Sequence, residues 1–240
     1  MSSYSIKLTN ISKRYTLLNN KPTLAENIFY GSSSEEFWAL KDINLAIGKG
    51  ENIGIIGPNG SGKTTLLEII AGITTPTRGK VQVKGKIASL IELEAGFHPE
   101  LTGRENININ GMLIGMSKKE LRERFQEIID FADIGQFINA PLYTYSLGMK
   151  LRLGFAIAIN SDPDILLLDE GMAVGDEKFQ RKCFQATTAF FGQDNTVVMV
   201  SHHLDFIKRY SNRIVWLKQG RIKTDSIQTR STIREYELAQ

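Results

Sequence analysis

The residues best suited to chemistry form one glycine-rich segment after the apolar run at residues 53–56. That segment consists of Gly57, Pro58, Asn59, Gly60, Ser61, Gly62, Lys63, Thr64 and Thr65. It matches G-x-x-x-x-G-K-[ST] and lies between a predicted strand and a predicted helix. The backbone N–H groups of this loop form a cradle for phosphate oxygens, and the N-terminus of the helix faces the same anion. Gly60 and Gly62 stand where a side chain would block a phosphate, Lys63 can reach the β- and γ-phosphates, and Thr64 can ligate Mg²⁺. The segment therefore predicts binding of a nucleoside triphosphate.

Two acids follow a second apolar run, Ile165–Leu168. A buried strand beside the phosphate cradle would bring Asp169 to the Mg²⁺, directly or through water. Glu170 is one residue further along and points elsewhere, so it can orient or deprotonate the attacking water. Acids also cap buried strands where they meet solvent, but the neighbouring phosphate loop favours the catalytic interpretation.

Two other element ends carry candidate phosphate ligands. His202 and His203 follow the apolar run 196–200, and a histidine at the carboxyl end of a sheet strand lies on the ligand side. His202 can hydrogen-bond a γ-phosphate there, and we expect one of the two histidines to have no role. Ser146 has the residue type of a helix N-cap, and Gly148 keeps that first turn accessible. On residue types alone, this second feature is only a capped helix.

The elements that must position these residues alternate between strand and helix, except that residues 96–159 are almost purely helical. This order predicts an α/β fold in which a helical subdomain interrupts a largely parallel, nucleotide-binding sheet. Strands are predicted at 4–11 and 38–47, and the polar segment 16–37 is predicted as an inserted loop with a short helix near 24–30. The predicted single domain 1–240 divides into a core at 1–92 and 160–225, a helical subdomain at about 93–159 and a C-terminal tail at 226–240.

Composition excludes several classes of protein. The chain has 240 residues, 42% hydrophobic and 23% charged, which is ordinary for a globular protein. Its net charge of +3 includes no run of five basic residues, so we predict no nucleic-acid partner. Cys183 is the one cysteine, which excludes an internal disulfide and fits a reducing cytoplasm. No apolar run approaches the roughly 20 residues that cross a bilayer, so we expect no transmembrane segment and only a peripheral membrane role.

In chain order, these motifs resemble the ATP-binding subunit of an ABC transporter over nearly the whole chain. Residues 57–65 match the Walker A motif. Further matches are Asp169 and Glu170 in Walker B, Asp176 in the D-loop, His202 at the switch histidine, and Ser146 and Gly148 in the signature motif, usually L-S-G-G-Q. The resemblance implies ATP and Mg²⁺ as ligands. It also implies a P-loop NTPase core with a mixed, largely parallel sheet, an N-terminal antiparallel β portion and an inserted α-helical subdomain.

Two matches leave alternatives open. Tyr15 is similar to the aromatic residue that stacks on adenine, but Trp38 is a second candidate because the insertion at 16–37 blurs the alignment. Glu92 stands where the family usually has the Q-loop glutamine, with Glu94 as the second candidate. A carboxylate at this position could ligate Mg²⁺ but would repel a bare phosphate.

A finer resemblance, carried by residues 91–106, 145–149 and 173–176, points to ATPases that export O-antigen, capsule or teichoic acid. It implies an ATP-hydrolysing subunit on the cytoplasmic face of the bacterial inner membrane. Its partners would be a polytopic permease and a second copy of the chain, joined head to tail around ATP. Because the chain ends at residue 240, we expect a short form whose substrate is selected by the permease.

The sequence leaves open several alternative functions and the position of one aromatic side chain. The rivals are an ABC ATPase for another substrate, a soluble ABC ATPase of DNA repair or translation, and a P-loop GTPase or small-molecule kinase. Soluble ABC ATPases commonly carry two cassettes or a long coiled coil, and a guanine-binding Asn-Lys-x-Asp motif is missing here. In ABC transporters the permease docks beside the Q-loop, here residues 92 to about 115. Phe97 in that segment either faces the docking groove or belongs to the core.

Overall fold

A six-stranded sheet and a three-stranded sheet enclose the main hydrophobic core. The computed structural model describes residues 4–18, 34–169, 175–191 and 194–239. The strands are β1 (Tyr4–Leu18), β2 (Ser34–Gly48), β3 (Asn52–Ile56), β4 (Arg78–Val83), β5 (Ile87–Ser89), β6 (Ile165–Leu168), β7 (Thr196–Val200), β8 (Arg213–Lys218) and β9 (Arg221–Ser226). The helices are α1 (Lys63–Ala71), α2 (Gly103–Ile114), α3 (Lys118–Ala132), α4 (Leu147–Ile159), α5 (Glu177–Thr188), α6 (Leu204–Tyr210) and α7 (Thr229–Leu238).

The larger sheet brings the predicted site residues to one edge. Its strand order is β5-β6-β7-β3-β8-β9, and all neighbours are parallel except β8 and β9. Its central strands are apolar on both faces, as expected when helices cover both sides of a parallel sheet. The carboxyl ends of β3, β6 and β7 therefore lie side by side, which confirms the predicted α/β fold with a mixed, largely parallel sheet.

The smaller sheet is antiparallel, with order β2-β1-β4, and it corrects the predicted strand ends. β1 continues through residues 12–18 and β2 begins at residue 34, so both ends of the predicted loop 16–37 are strand. Polar residues suggested a loop, but each strand supplies the other's hydrogen-bond partners, and Arg14 Nη1 lies 2.6 Å from Glu36 Oε1 across the pair. The helix predicted near 24–30 lies outside the described residues.

Helices α2, α3 and α4 surround a core of their own, built on Ile107, Leu121, Ile128 and Leu153. Helices α2 and α3 begin with capping boxes, in which Thr102 and Ser117 exchange hydrogen bonds with acids three residues later. The helical spacing of Leu121, Phe125 and Ile128 predicts a helix over 118–132, and α3 has those bounds. These helices correspond to the predicted helical subdomain, and its boundaries within the chain remain a prediction.

The C-terminal tail and one helix end differ from the predictions. Residues 226–240 were predicted as a tail, yet α7 lies within them and packs Ile233 and Tyr236 near Trp216. The segment is mostly polar, and only one narrow face of it is buried, so its sequence carries a weak helical signal. The sequence also predicts a helix over 177–191, but α5 ends at Thr188 and the chain continues as a turn.

Candidate functional site

The phosphate loop joins β3 to α1, and its glycines serve different purposes. Gly60 has φ +73°, and a Cβ placed on it would meet open space. A Cβ on Gly62, at φ +101°, would lie 2.6 Å from the Ala39 carbonyl oxygen, and one on Gly57 would lie 2.3 Å from that of Leu217. A side chain at Gly62 was predicted to block a phosphate, and it would also strike β2, so the fold requires glycine there as well.

Lys63 is held inside this loop. Its side chain is buried, and Nζ donates to the carbonyl oxygens of Gly57, at 2.8 Å, and Pro58, at 3.1 Å. A buried ammonium needs such partners, because desolvation of an unpaired charge is costly. The loop thus carries one positive charge at its centre, where anionic oxygens would approach. The Ser61 carbonyl oxygen accepts a hydrogen bond from Gly220 N–H, at 3.1 Å, which connects the loop to the turn between β8 and β9.

An open cavity of about 430 Å³ lies in front of the loop. It is lined by Tyr15, Phe37, Ala39, Asn59, Gly60, Gly62, Lys63, Thr64, Thr65, Asp169 and His202. The structure therefore brings together residues from β1, the phosphate loop and the ends of β6 and β7. Gly57, Pro58 and Ser61 shape the loop without lining this cavity.

Two aromatic side chains form one end of the cavity. Tyr15 and Phe37 are paired across β1 and β2, so both face the same side of the ribbon. They are 36% and 49% exposed, so both rings are accessible from the cavity. Lys13 contacts the Tyr15 ring. Its Nζ lies 5.0 Å from the ring centroid and donates a hydrogen bond to Thr74 Oγ1 at 2.8 Å.

Trp38 lies on the opposite face of the ribbon from Phe37, as alternation along a strand requires. The guanidinium groups of Arg14 and Arg78 each lie 5.7 Å from the Trp38 ring. Trp38 is therefore not among the residues that line the cavity. Phe37 was missed at the sequence level because β2 was predicted to begin at residue 38, and an earlier start would have exposed the alternation.

The candidate metal ligands divide between two cavities. Thr64 and Asp169 line the cavity at the phosphate loop, and a hydroxyl with a carboxylate is a donor set that suits Mg²⁺. Glu92 instead lines a second cavity of about 300 Å³, so its role as a ligand stays a prediction. The described residues contain no cluster of three His, Cys, Asp or Glu side chains that could hold a metal alone. Glu170 lies outside the described residues.

The Glu68 carboxyl interacts electrostatically with one residue from each cavity, and it was not identified from the sequence. It lies on α1, one turn after Thr64, and burial raises the pKa of its carboxyl. The negative charges of Glu92 and Asp169 raise this pKa further, while the Lys13 ammonium opposes them. Glu92 and Asp169 thus act on the same carboxyl although they line different cavities.

The predicted signature and D-loop residues cap helices outside the cavity. Ser146 Oγ accepts from Met149 N–H at 3.2 Å at the exposed start of α4, and Gly148 lies in that first turn. Asp176 caps α5, where its carboxylate accepts from Phe179 N–H at 2.9 Å. That backbone hydrogen bond lowers the pKa of Asp176, and the Arg152 guanidinium, 2.6 Å away, lowers it further.

The second cavity lies between α1, β5 and the α2 helix, and Phe97 forms part of its wall. Phe97 is half-buried and also packs on the core of α2–α4, so its side chain belongs both to the cavity wall and to that core. That this cavity is a docking groove stays a prediction. Leu113 and Ile73, which line the same cavity, are exposed by 69% and 40%. This part of the surface is apolar and accessible.

Two further observations concern residues outside the site. Cys183 is buried on α5, and burial raises the pKa of its thiol to about 12, so it is an unreactive core residue. Among the described residues, no helix combines the length and apolar character needed to span a bilayer.

Known proteins resemble the chain over most of its length. The teichoic acids export ATP-binding protein TagH of Bacillus anthracis is 42% identical over 92% of this chain, which covers 40% of TagH. The O-antigen export system ATP-binding protein RfbB of Klebsiella pneumoniae is 38% identical over 91% of this chain and 92% of RfbB. The chain spans about 40% of the length of several curated relatives that it matches.

A solved structure of the ATP-binding cassette MJ0796, a dimer bound to ADP and Pi in a post-hydrolysis state, superposes with a TM-score of 0.69. It is 28% identical and covers 92% of this chain and 97% of its own. The family model described as ABC transporter matches residues 40–173, from β2 through the phosphate loop to just past Asp169. With more than half of its length matched by this family model, the chain belongs to the ABC transporter family.

Proposed function

We propose that this chain is the ATP-hydrolysing subunit of an ABC transporter that exports a bacterial surface polysaccharide or lipid-linked glycan across the inner membrane. The glycan would be of the O-antigen, capsule or teichoic acid class. The observation that carries the proposal is the one cavity shared by the phosphate loop, Asp169 and His202. The similarity to the export proteins TagH and RfbB supports the transported class.

In this proposal the chain's own residues divide the chemistry along the cavity. Backbone N–H groups of the loop and the Lys63 ammonium bind the β- and γ-phosphates. Thr64 and Asp169 would hold Mg²⁺, which neutralises charge on the phosphate oxygens. Glu170 orients the attacking water and accepts its proton, and His202 donates a hydrogen bond to the γ-phosphate.

A second copy would complete the site. Ser146, Gly148 and Asp176 lie outside the cavity, and the exposed start of α4 offers free N–H groups and the positive end of a helix dipole. Placed head to tail, one copy's α4 would therefore meet the γ-phosphate bound by the other. Loss of the γ-phosphate removes that contact, so hydrolysis would let the two copies separate.

The motion would reach a polytopic permease through the second cavity. Its exposed apolar wall, with Phe97 and Leu113, fits a short helix of a membrane partner. Glu92 lines this cavity and lies close enough to Glu68 to raise its pKa, so the groove adjoins the helix that follows the phosphate loop. In this proposal the subunit is a peripheral protein on the cytoplasmic face of the inner membrane.

The catalytic part of the proposal is tested with Glu170→Gln. Losing a general base typically slows turnover roughly 10²–10⁴-fold, while an amide of the same size leaves the nucleotide site intact. We therefore expect unchanged ATP affinity and nearly abolished phosphate release. Glu177→Gln, on the exposed first turn of α5, is the matched control and should behave as wild type. Turnover of the Glu170 variant within a few-fold of wild type would reject Glu170 as the base.

A further inference from the structure

The outer face of the three-stranded sheet carries three exposed lysines. Lys7 lies on β1, Lys80 lies on β4 and Lys84 directly follows β4. Lys7 is paired with Gln82 across the two strands, so Lys80 and Lys84 are its diagonal neighbours on the same face. In the described part of the chain, none of these three ammonium groups has a carboxylate within ion-pair distance. We call these three lysines the cationic face.

Tyr4 lies in the middle of this cluster. Lys84 Nζ is 3.9 Å from the Tyr4 ring centroid, and Lys7 Nζ is 5.7 Å from it. Two ammonium groups on one ring concentrate positive charge in a small area. The exposed neighbours on this side, Thr9, Asn44 and Ala46, are small and neutral.

Apart from the contacts with Tyr4, these three lysines make no interaction with the described residues that offsets their charge. The chain has 29 basic and 26 acidic side chains, and the difference of +3 equals the charge of the cationic face alone. Like charges at neighbouring positions of a sheet destabilise it, and no acid in the described residues offsets them. A partner that is itself negative would remove this repulsion.

The shape and composition of the cationic face favour one class of negatively charged partner over the others. Protein interfaces are depleted in lysine and rely on large apolar or arginine anchors, which this face does not provide beyond Tyr4. A small phosphate ligand needs a concave set of donors, whereas these lysines stand on the outside of a sheet. An extended anionic lipid surface requires neither feature, because its potential attracts clustered lysines without fixed geometry.

Position supports the same partner. Lys84 precedes Ile87 by three residues, so their Cα atoms are at most about 11 Å apart, and Ile87 lines the cavity assigned to the permease. If that assignment holds, this end of the cationic face lies beside the membrane. We propose that the cationic face binds anionic phospholipid headgroups directly, in addition to any contact with a permease; this inference rests on the proposed function for its orientation.

Vesicle co-sedimentation of the purified chain, without nucleotide, tests this proposal. Wild type should bind vesicles that contain phosphatidylglycerol, should bind pure phosphatidylcholine vesicles far less, and should lose binding as salt rises. The triple variant Lys7, Lys80 and Lys84→Gln should bind the anionic vesicles at least roughly 10-fold less, since each lysine near such a surface contributes several-fold. The triple variant Lys118, Lys178 and Lys208→Gln has the same net charge and alters exposed lysines elsewhere, so it should stay close to wild type.

Three results would overturn the proposal. Wild type could bind both kinds of vesicle equally, the control variant could lose as much binding as the face variant, or a soluble acidic peptide could bind the face while vesicles do not. The last result would identify an acidic protein partner instead. Because the assay contains no ATP, its failure is distinct from failure of the proposed function, which would appear as absent ATP hydrolysis by both triple variants and by wild type.

Discussion

At the scale of single residues, the aromatic end of the cavity makes a direct prediction. Tyr15→Ala and Phe37→Ala should each weaken ATP binding, and the loss for a stacking ring is about 1–3 kcal/mol. Trp38→Ala should leave ATP affinity unchanged, because Trp38 lies on the other face of the ribbon between Arg14 and Arg78. Calorimetric titration of the three variants with ATP measures these differences.

Tripolyphosphate provides the control for that experiment, since it has the phosphates of ATP and no base. Its affinity should be the same in all three variants and in wild type. A silent Tyr15→Ala together with a weakened Trp38→Ala would contradict this placement of the base. Equal losses for ATP and tripolyphosphate would show instead that the rings support the phosphate loop.

The placement of candidate residues around the cavity was predictable where they belong to a short segment of the sequence. The loop at 57–65 and the acid after β6 were found because their patterns depend on neighbours in the sequence. Phe37 was not found, because its contribution depends on pairing with Tyr15 across 21 intervening residues. The requirement of the fold for glycine at position 62 was missed for the same reason. A side chain there would strike the Ala39 carbonyl oxygen on β2, which is distant in the sequence.

At the scale of elements, Asp176 connects α5 to the helical subdomain. Its carboxylate caps α5, and Arg152 on α4 lies 2.6 Å from it and 3.5 Å from Asp133 at the end of α3. Asp176→Ala should lower the Tm by roughly 2–4 °C, the effect of one lost N-cap in a domain of this size. Asp176→Asn keeps a capping oxygen and loses only a surface ion pair, so its Tm should fall clearly less.

Differential scanning calorimetry of the two variants decides this point. Equal losses for the alanine and asparagine variants would mean that the ion pair with Arg152, and not the cap, holds α5 in place.

Glu120 gives the helical subdomain a pH-dependent attachment. It accepts hydrogen bonds from Lys86 Nζ and Ser117 N–H, both at 2.6 Å, and Lys86 is the largest cause that lowers its pKa from 4.5 to about 2. Because the folded pKa lies below the ordinary one, this carboxylate contributes stability that is complete above about pH 4.5 and is lost as pH falls toward 2. Glu120→Gln should therefore be less stable than wild type at neutral pH, and the difference should shrink below pH 4.5.

Urea unfolding of both proteins at several pH values measures that difference. Glu123→Gln is the matched control on the same helix, because its ion pair with Lys119 is longer, at 3.8 Å, and exposed. A constant difference between the Glu120 variant and wild type across this pH range would contradict the assigned role of Glu120.

Most elements could be predicted because they carry strong local signals. Helix α3 and strand β6 were placed at their observed ends, since apolar residues at helical spacing mark the first and an apolar run marks the second. The ends of β1 and β2 could not be placed, because their outer halves are polar and are stabilised by each other. Helix α7 was missed because its burial depends on Trp216, which belongs to a different element.

At the scale of the whole molecule, three surfaces have four proposed partners. The open cavity faces nucleotide and a second copy, the apolar groove at Phe97 faces a permease, and the cationic face meets lipid. This arrangement explains how a chain in which no described helix can cross a membrane would act on one. In this account ATP binding controls contact between the copies, and the groove passes their motion to the permease.

The central claim is that ATP hydrolysis in this cavity powers glycan export. It is tested most directly by measuring surface glycan on cells whose only copy of this chain carries Lys63→Ala. The account predicts that glycan disappears from the cell surface and that unexported glycan accumulates inside the cell, because Lys63 supplies the positive charge within the phosphate loop. Lys178→Ala, which removes an exposed lysine outside the cavity, should leave surface glycan at the wild-type level. Wild-type surface glycan in the Lys63→Ala cells would contradict the account.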